Sequence, residues 1–160
     1  MGDGCLAQHG RFHRLFVKHQ IAQRALAEFK RTAFKSFVTM PLHEFDQKLG
    51  DRRYPCVQFV TRTAQVFSEW HARFYSGRRK IVPVGITELL TPLTMAVWFM
   101  DDGGADYAGL DIQAHCFEPD ESELLVVALA ERFGIRARTR ANKGRRMIYI
   151  PSSEVGQLAR

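Results

Sequence analysis

The sequence is poor in cysteine, in acidic residues relative to basic ones, and in long apolar runs. Its 160 residues include three cysteines, Cys5, Cys56 and Cys116. An odd number so widely spaced is not a disulfide framework. Free thiols suit a reducing compartment; the expected setting is a bacterial cytoplasm or nucleoid, or an organellar matrix. Cys5, His9 and His13 lie near one another in the chain, but no second Cys/His pair completes a zinc set. No apolar run approaches membrane-spanning length and the N-terminus does not read as a signal peptide, so neither a membrane nor a secreted protein is expected.

Asp and Glu number 17 against 23 Lys and Arg, for a net charge of +6. Such an excess suits a polyanionic partner, because each cation set against a phosphate releases condensed counterions. It is also what an ordinary solvated basic face looks like. Arg outnumbers Lys by 17 to 6, and Arg can fork onto phosphate and guanine where Lys cannot. A GC-rich genome would give the same bias. At 46% apolar and 25% charged, the chain is ordinary for a globular protein and long enough to bury a core without staples.

Residues 11–19 alternate as a strand, with Leu15, Val17 and His19 on one face. Helical spacing follows over 21–37, predicting a buried stripe of Leu26, Phe29, Ala33 and Phe37. Pro41 ends that element. An irregular strand and a turn at Gly50-Asp51 lead to a second alternating strand over 56–63. A helix over 64–75 stops at Ser76-Gly77, before the basic cluster Arg78-Arg79-Lys80. A strand over 109–117 precedes a helix over 118–133. That helix opens on acids at the positive end of its dipole and closes on Gly134. Residues 135–141 and 145–150 form a hairpin about Asn142-Lys143-Gly144. A short helix from Ser152 runs toward Arg160. The order repeats: Asp3-Gly4 and Asp102-Gly103, 99 positions apart, each introduce strand, helix, strand pair and helix.

Residues 92–102 (PLTMAVWFMDD) are apolar until the last two. A helix carrying Met95, Trp98, Phe99 and Met100 is expected to be buried. Its negative C-terminal end is the wrong place for Asp101 and Asp102, at up to about 1 kcal/mol each. Violations of this kind gather at functional sites, and a divalent cation would relieve both the dipole and the mutual repulsion. A solvated Asp-Asp-Gly-Gly turn is the plain alternative.

The segment LTPLTMAVWFMDDGG resembles the second signature helix of LAGLIDADG homing endonucleases. EFKRTAFKSFV, VTRT followed by WHARFY, RRKIVP, ERFGI and RRMIYIPSS also resemble that family, so the likeness covers nearly the whole chain. It implies an α+β fold of two pseudo-symmetric αββαββα-like repeats, residues 1–85 and 86–160, forming together one compact monomer. Each repeat would carry a saddle-shaped antiparallel sheet. The implied activity is site-specific cleavage of double-stranded DNA with Mg²⁺ or another divalent cation such as Mn²⁺. The metal-binding acids would be Asp102 and Asp3, with the Gly103 backbone as a further ligand. Lys80 would be the cation beside the first site, or else part of a solvated basic loop.

If Leu15, Val17, Val57, Phe59, Leu110, Ile112, Ile148 and Ile150 face the helices, the opposite faces present Arg14, Lys18, Gln58, Arg62, Gln113, His115, Arg138 and Arg140. Arg and Gln are side chains that read base edges. The family pattern also implies apolar turns before Gly2-Asp3-Gly4, and a further basic segment after the final short helix. The sequence given contains neither, so a truncated first motif and a shortened C-terminus are expected. Two readings from other classes stay open. One is a non-catalytic nucleic-acid binder on the same fold, such as an intron-RNA maturase or a decayed nuclease. The other is a basic scaffold.

Overall fold

The computed structural model describes residues 2–142 and 144–157; the Lys143 part of the expected hairpin turn and the run to Arg160 lie outside them. The described residues fall into two compact units, Asp3–Ala72 and the stretch from Arg73 onward together with Gly2.

In the Asp3–Ala72 unit, β1 (Gly4–His9), β2 (Phe12–Gln20), β3 (His43–Leu49) and β4 (Arg52–Val60) form an antiparallel sheet in the order β1-β2-β4-β3. A single 3₁₀ turn (Ile21–Gln23) leads into α1 (Arg24–Ala33). Pleat alternation places Leu15, Val17 and His19 of β2 opposite Val57 and Phe59 of β4, on the covered face. Val17, Val38 and Phe59 are the buried heart of this layer, with Leu15, Phe34 and Leu42 against them. Helix α2 (Gln65–Phe74) adds Phe67, whose ring meets Phe37 edge-on at 5.1 Å.

The predicted stripe on the first helix is corrected. The helix starts at Arg24 and ends at Ala33, and it buries Ala27 and Lys30, while Phe29 is 48% exposed and Ala33 is exposed. The apolar spacing named the wrong face: Lys30, not Phe29, is turned inward.

The second unit contains a four-stranded sheet of the same order as the first, and a further hairpin. The basic cluster is built into that hairpin, β5 (Tyr75–Ser76) and β6 (Arg79–Lys80). Then come α3 (Ile86–Leu89), α4 (Pro92–Asp102), β7 (Gly103–Asp106), β8 (Gly109–Gln113), α5 (Pro119–Phe133), β9 (Arg138–Asn142), β10 (Arg145–Pro151) and α6 (Ser152–Val155). The sheet order is β7-β8-β10-β9, the topology of the first sheet. Ile112 of β8 sits opposite Ile148 of β10, both fully buried beneath Leu125 and Leu129 of α5 and Ile135.

Both long helices of this unit are closed by local chemistry. Thr91 and Thr94 exchange side-chain and backbone bonds at the start of α4, with Pro92 at its first position. Glu118 and Glu121 do the same for α5, and Gly134 ends it at a φ of +67° that a side chain would strain. The strand expected over 109–117 stops at Gln113, where Ala114 to Phe117 turn back. β7, which sequence spacing does not suggest, begins at Gly103 directly on the helix end. Met100 is exposed rather than buried, since the core of this unit takes only the Met95 and Trp98 side of α4. No described helix is long and apolar enough to cross a membrane.

Candidate functional site

Helix α4 delivers Asp101 and Asp102 at its last turn, and the Gly103 amide caps it by bonding to the Phe99 carbonyl. A Cβ on Gly103 would overlap both that carbonyl and the Phe99 ring. Only glycine lets the chain pass straight from helix to β7, where Gly103 lies opposite Ile112. Asp102 is thereby fixed at the junction. Its Oδ2 accepts the amide of Gly2 at 3.0 Å, a bond spanning 100 positions of sequence.

Gly2 is held at its other end too. Lys80 of β6 donates from Nζ to the Gly2 carbonyl at 2.7 Å. Gly2 has a φ of +74°, and a Cβ there would run into the Asp101 carboxylate. One glycine thus bridges the acid of the signature helix and the lysine of the basic hairpin. The hairpin is anchored in turn by Arg79, which donates to Glu121 Oε2 at 2.6 Å at the start of α5. Burial pushes the Glu121 carboxyl up, but the Glu118 amide and the Arg79 guanidinium outweigh it and hold the group below its usual range. Burial raises the Cys116 thiol, with Lys80 pulling it down and Asp102 pushing it up.

Asp3 occupies a bend ahead of β1, not a helix end. In its own unit its Oδ2 lies 3.3 Å from His19 Nδ1. His19 Nε2 lies 3.1 Å from Lys30 Nζ. A cavity of about 350 Å³ opens here, lined by Asp3 and His19 and, on the open sheet face, by Lys18, Gln20, Tyr54 and Cys56.

The expected base-reading side chains divide into three groups. Lys18 is exposed on the open face directly opposite Gln58, and Arg14 lies there with its guanidinium over Phe16. In the second sheet Gln113 faces Met147 across the pair, and Arg138 is exposed over the Tyr149 ring. Arg140 is on the same face but is tied to Asp111 by two bonds of 3.0 and 2.6 Å and to Asp106 by one of 2.7 Å. Arg62 and His115 are not on strand faces as expected. Arg62 follows the end of β4 with its guanidinium over Phe37, and His115 sits in the turn after β8.

Sequence reasoning missed Lys30, Gly2 and the Arg79–Glu121 tie. The last two are long-range bonds that leave no trace in local pattern. His19 left one, a polar residue continuing the inward face of Leu15 and Val17.

The family model of the LAGLIDADG DNA endonuclease family matches residues 1–158. The chain belongs to the LAGLIDADG DNA endonuclease family. It is 26% identical over 169 aligned positions to a probable intron-encoded endonuclease of Wickerhamomyces canadensis, covering 96% of this chain and 71% of that one. It is 33% identical over 81 positions to a cytochrome b mRNA maturase of Debaryomyces hansenii, covering 51% of this chain and 31% of the maturase. The chain thus spans about a third of that relative's length. Among solved structures, the homing endonuclease I-WcaI bound to its DNA recognition sequence superposes with a TM-score of 0.89 at 23% identity, over 98% of this chain and 74% of the other. The α+β fold with two antiparallel sheets is therefore that of LAGLIDADG proteins.

Proposed function

We propose that this LAGLIDADG protein is a site-specific endonuclease of double-stranded DNA that depends on a divalent cation. The carrying observation is the clamp on Gly2. An acid at an unfavourable helix end is locked in place by a backbone amide, and the carbonyl of the same residue is held by a buttressed lysine. The intron-encoded endonuclease similarity and the likeness to I-WcaI bound to DNA support this reading.

Asp102 and Asp3 would each hold a metal ion, with the Gly103 backbone beside Asp102. Their hard oxygen donors suit Mg²⁺ or Mn²⁺ and no soft metal. When bound, the ion supplies Lewis acidity and an activated water for phosphodiester hydrolysis. Lys80 contributes a fixed positive charge next to Asp102, suited to a phosphate whose negative charge grows in the transition state. Gly2 N–H keeps one Asp102 oxygen oriented. Arg14, Lys18, Gln58, Gln113 and Arg138 on the open sheet faces are assigned to DNA, with Arg62, His115 and Arg140 as outlying contacts. The repeats are assigned to 1–85 and 86–160 within a monomer, in an organellar matrix or a bacterial cytoplasm.

The maturase similarity favours one second reading, an intron-RNA binder without cleavage. A randomised duplex-DNA library incubated with the full chain separates the two. Enriched cut sites with Mg²⁺ and none with EDTA are expected. Salt-steep nucleic-acid binding without any cutting would replace the nuclease by the binder.

A further inference from the structure

The turn between β7 and β8 is anchored from several sides, yet it holds an aromatic ring out to solvent. Tyr107 and Ala108 form the turn between the paired residues Asp106 and Gly109. The Ala108 carbonyl accepts from the Tyr149 hydroxyl at 2.6 Å and from the Ser152 amide at 2.9 Å. Asp106 Oδ2 accepts from Arg140 Nη2 at 2.7 Å. Gly109 passes so close to the Ile150 carbonyl that a Cβ would overlap it. Strands β9 and β10 and the start of α6 therefore fix these four residues, while Tyr107 is 106% exposed. An exposed tyrosine alone means little. One carried on a backbone already fixed offers contact area at small entropic cost.

The charges at the root of the turn narrow the partner. Arg140 has five N–H donors. Nε and Nη2 bond to Asp111, and Nη2 bonds also to Asp106. Its fork is filled, and only Nη1 is left to offer a base, which is not the paired donor set that guanine takes. Even with Arg138, which lies over the same Tyr149 ring as Arg140, two carboxylates leave no surplus of positive charge. A phosphate is therefore a poor partner at this spot. The apolar feature that duplex DNA presents in its major groove is the C5 methyl of thymine. Tyr107 stands four residues beyond Gly103 on the sheet that starts at Asp102, about 13 Å along the strand. At about 3.4 Å per nucleotide that is about four base pairs.

We propose that Tyr107 is a specificity-determining residue: the anchored β7–β8 turn presents its ring to a thymine methyl in the major groove, about four base pairs from the phosphate that Asp102 would serve. This rests on the reading of the chain as a protein of duplex DNA.

The probe is the duplex that the full wild-type chain enriches from a randomised library, with its cut position mapped in Mg²⁺ and binding measured in EDTA. Each thymine within about six base pairs of the cut is replaced singly by deoxyuridine, which removes only the methyl. One replacement is expected to weaken wild-type binding about fourfold, the scale of one buried methyl group, and to leave Tyr107→Ala unaffected. On the unmodified duplex Tyr107→Ala should bind about tenfold more weakly, and Tyr107→Phe like wild type. If Tyr107→Ala does not fold, Tyr107→Asn, a residue at home in turns, replaces it. A site without thymine in that stretch, or replacements that affect wild type and variant alike, overturns the proposal while the DNA reading stands. A site bound but not cut removes the nuclease reading, and the uracil scan over the whole bound duplex then decides on Tyr107 alone. If no duplex is enriched, the DNA reading itself fails and Tyr107 falls with it.

Discussion

Lys80 and Gly2 are joined by a 2.7 Å hydrogen bond from ammonium to carbonyl, although 78 positions separate them. The bond makes a basic hairpin responsible for the placement of a backbone segment far away in sequence. Replacing Lys80 by Met should lower cleavage by about 100-fold, the scale of losing one fixed stabilising charge. DNA binding in gel shifts should change little. Cleavage at the wild-type rate would leave Lys80 with only an anchoring role.

Asp101 and Asp102 are neighbours with different partners. Asp102 accepts the Gly2 amide, while Asp101 packs where a Gly2 side chain would go. Asp102→Asn should abolish Mg²⁺-dependent cleavage and leave DNA binding equal or tighter, since removing a negative charge near phosphates does not weaken attraction. Asp101→Asn should be the milder change. The reverse order in a cleavage assay would move the metal site by one residue.

Gly103→Ala should destabilise the fold by about 1–3 kcal/mol or more, because the added methyl overlaps the Phe99 carbonyl and ring. Gly104→Ala, with open space around it, should be near neutral. Urea unfolding of both variants checks the contrast, and equal midpoints would contradict the close approach.

Arg138→Ala and Arg140→Ala should behave differently although both sit in β9. Arg140 neutralises Asp111, which is buried, and Asp106, whose carboxyl it holds below the usual range. Removing Arg140 strands a buried carboxylate and should lower the thermal midpoint. Removing Arg138 should weaken DNA binding at an unchanged midpoint. If Arg140→Ala melts like wild type, the Asp106–Arg140–Asp111 cluster contributes nothing to the fold.

His71 stacks on His13 with ring centroids 4.1 Å apart. Burial, then the neighbouring His13, holds its pKa below the ordinary 6.5. The unfolded chain therefore binds this proton more readily. The corresponding stability is fully present above pH 6.5 and is lost as pH falls through the lower folded value. Urea midpoints taken downward from pH 7 should fall less in His71→Gln than in wild type. Parallel curves would sink the assignment.

Much of this was legible in the sequence because it was local. The Glu118-Pro119 start and Gly134 end of α5, and the reach of α4 from Pro92 to Asp102, are set by caps and dipoles within a few residues. Strand faces such as Val57 and Phe59 followed from alternation. What was not legible depends on distant partners. Phe29 looked like core by spacing, yet Lys30 is inside because His19 waits for it across the layer. β7 was hidden because Gly103-Gly104 reads as a turn until β8 supplies its ladder. Arg140 looked like an open cation because Asp106 and Asp111 lie on other strands. For the candidate site, the motif marked Asp102, whereas its amide partner came only from the fold.

The Gly2 bond to Asp102 also has a temporal side. All four strands of the first sheet lie within Asp3–Ala72, so that unit can form as soon as its own stretch has been synthesised. The residue just before Asp3 cannot be secured then, because its acceptor lies 100 positions later. During synthesis Asp3 therefore sits on a folded sheet behind an unsecured leading peptide. Only once α4 has been synthesised can Asp102 accept the Gly2 amide.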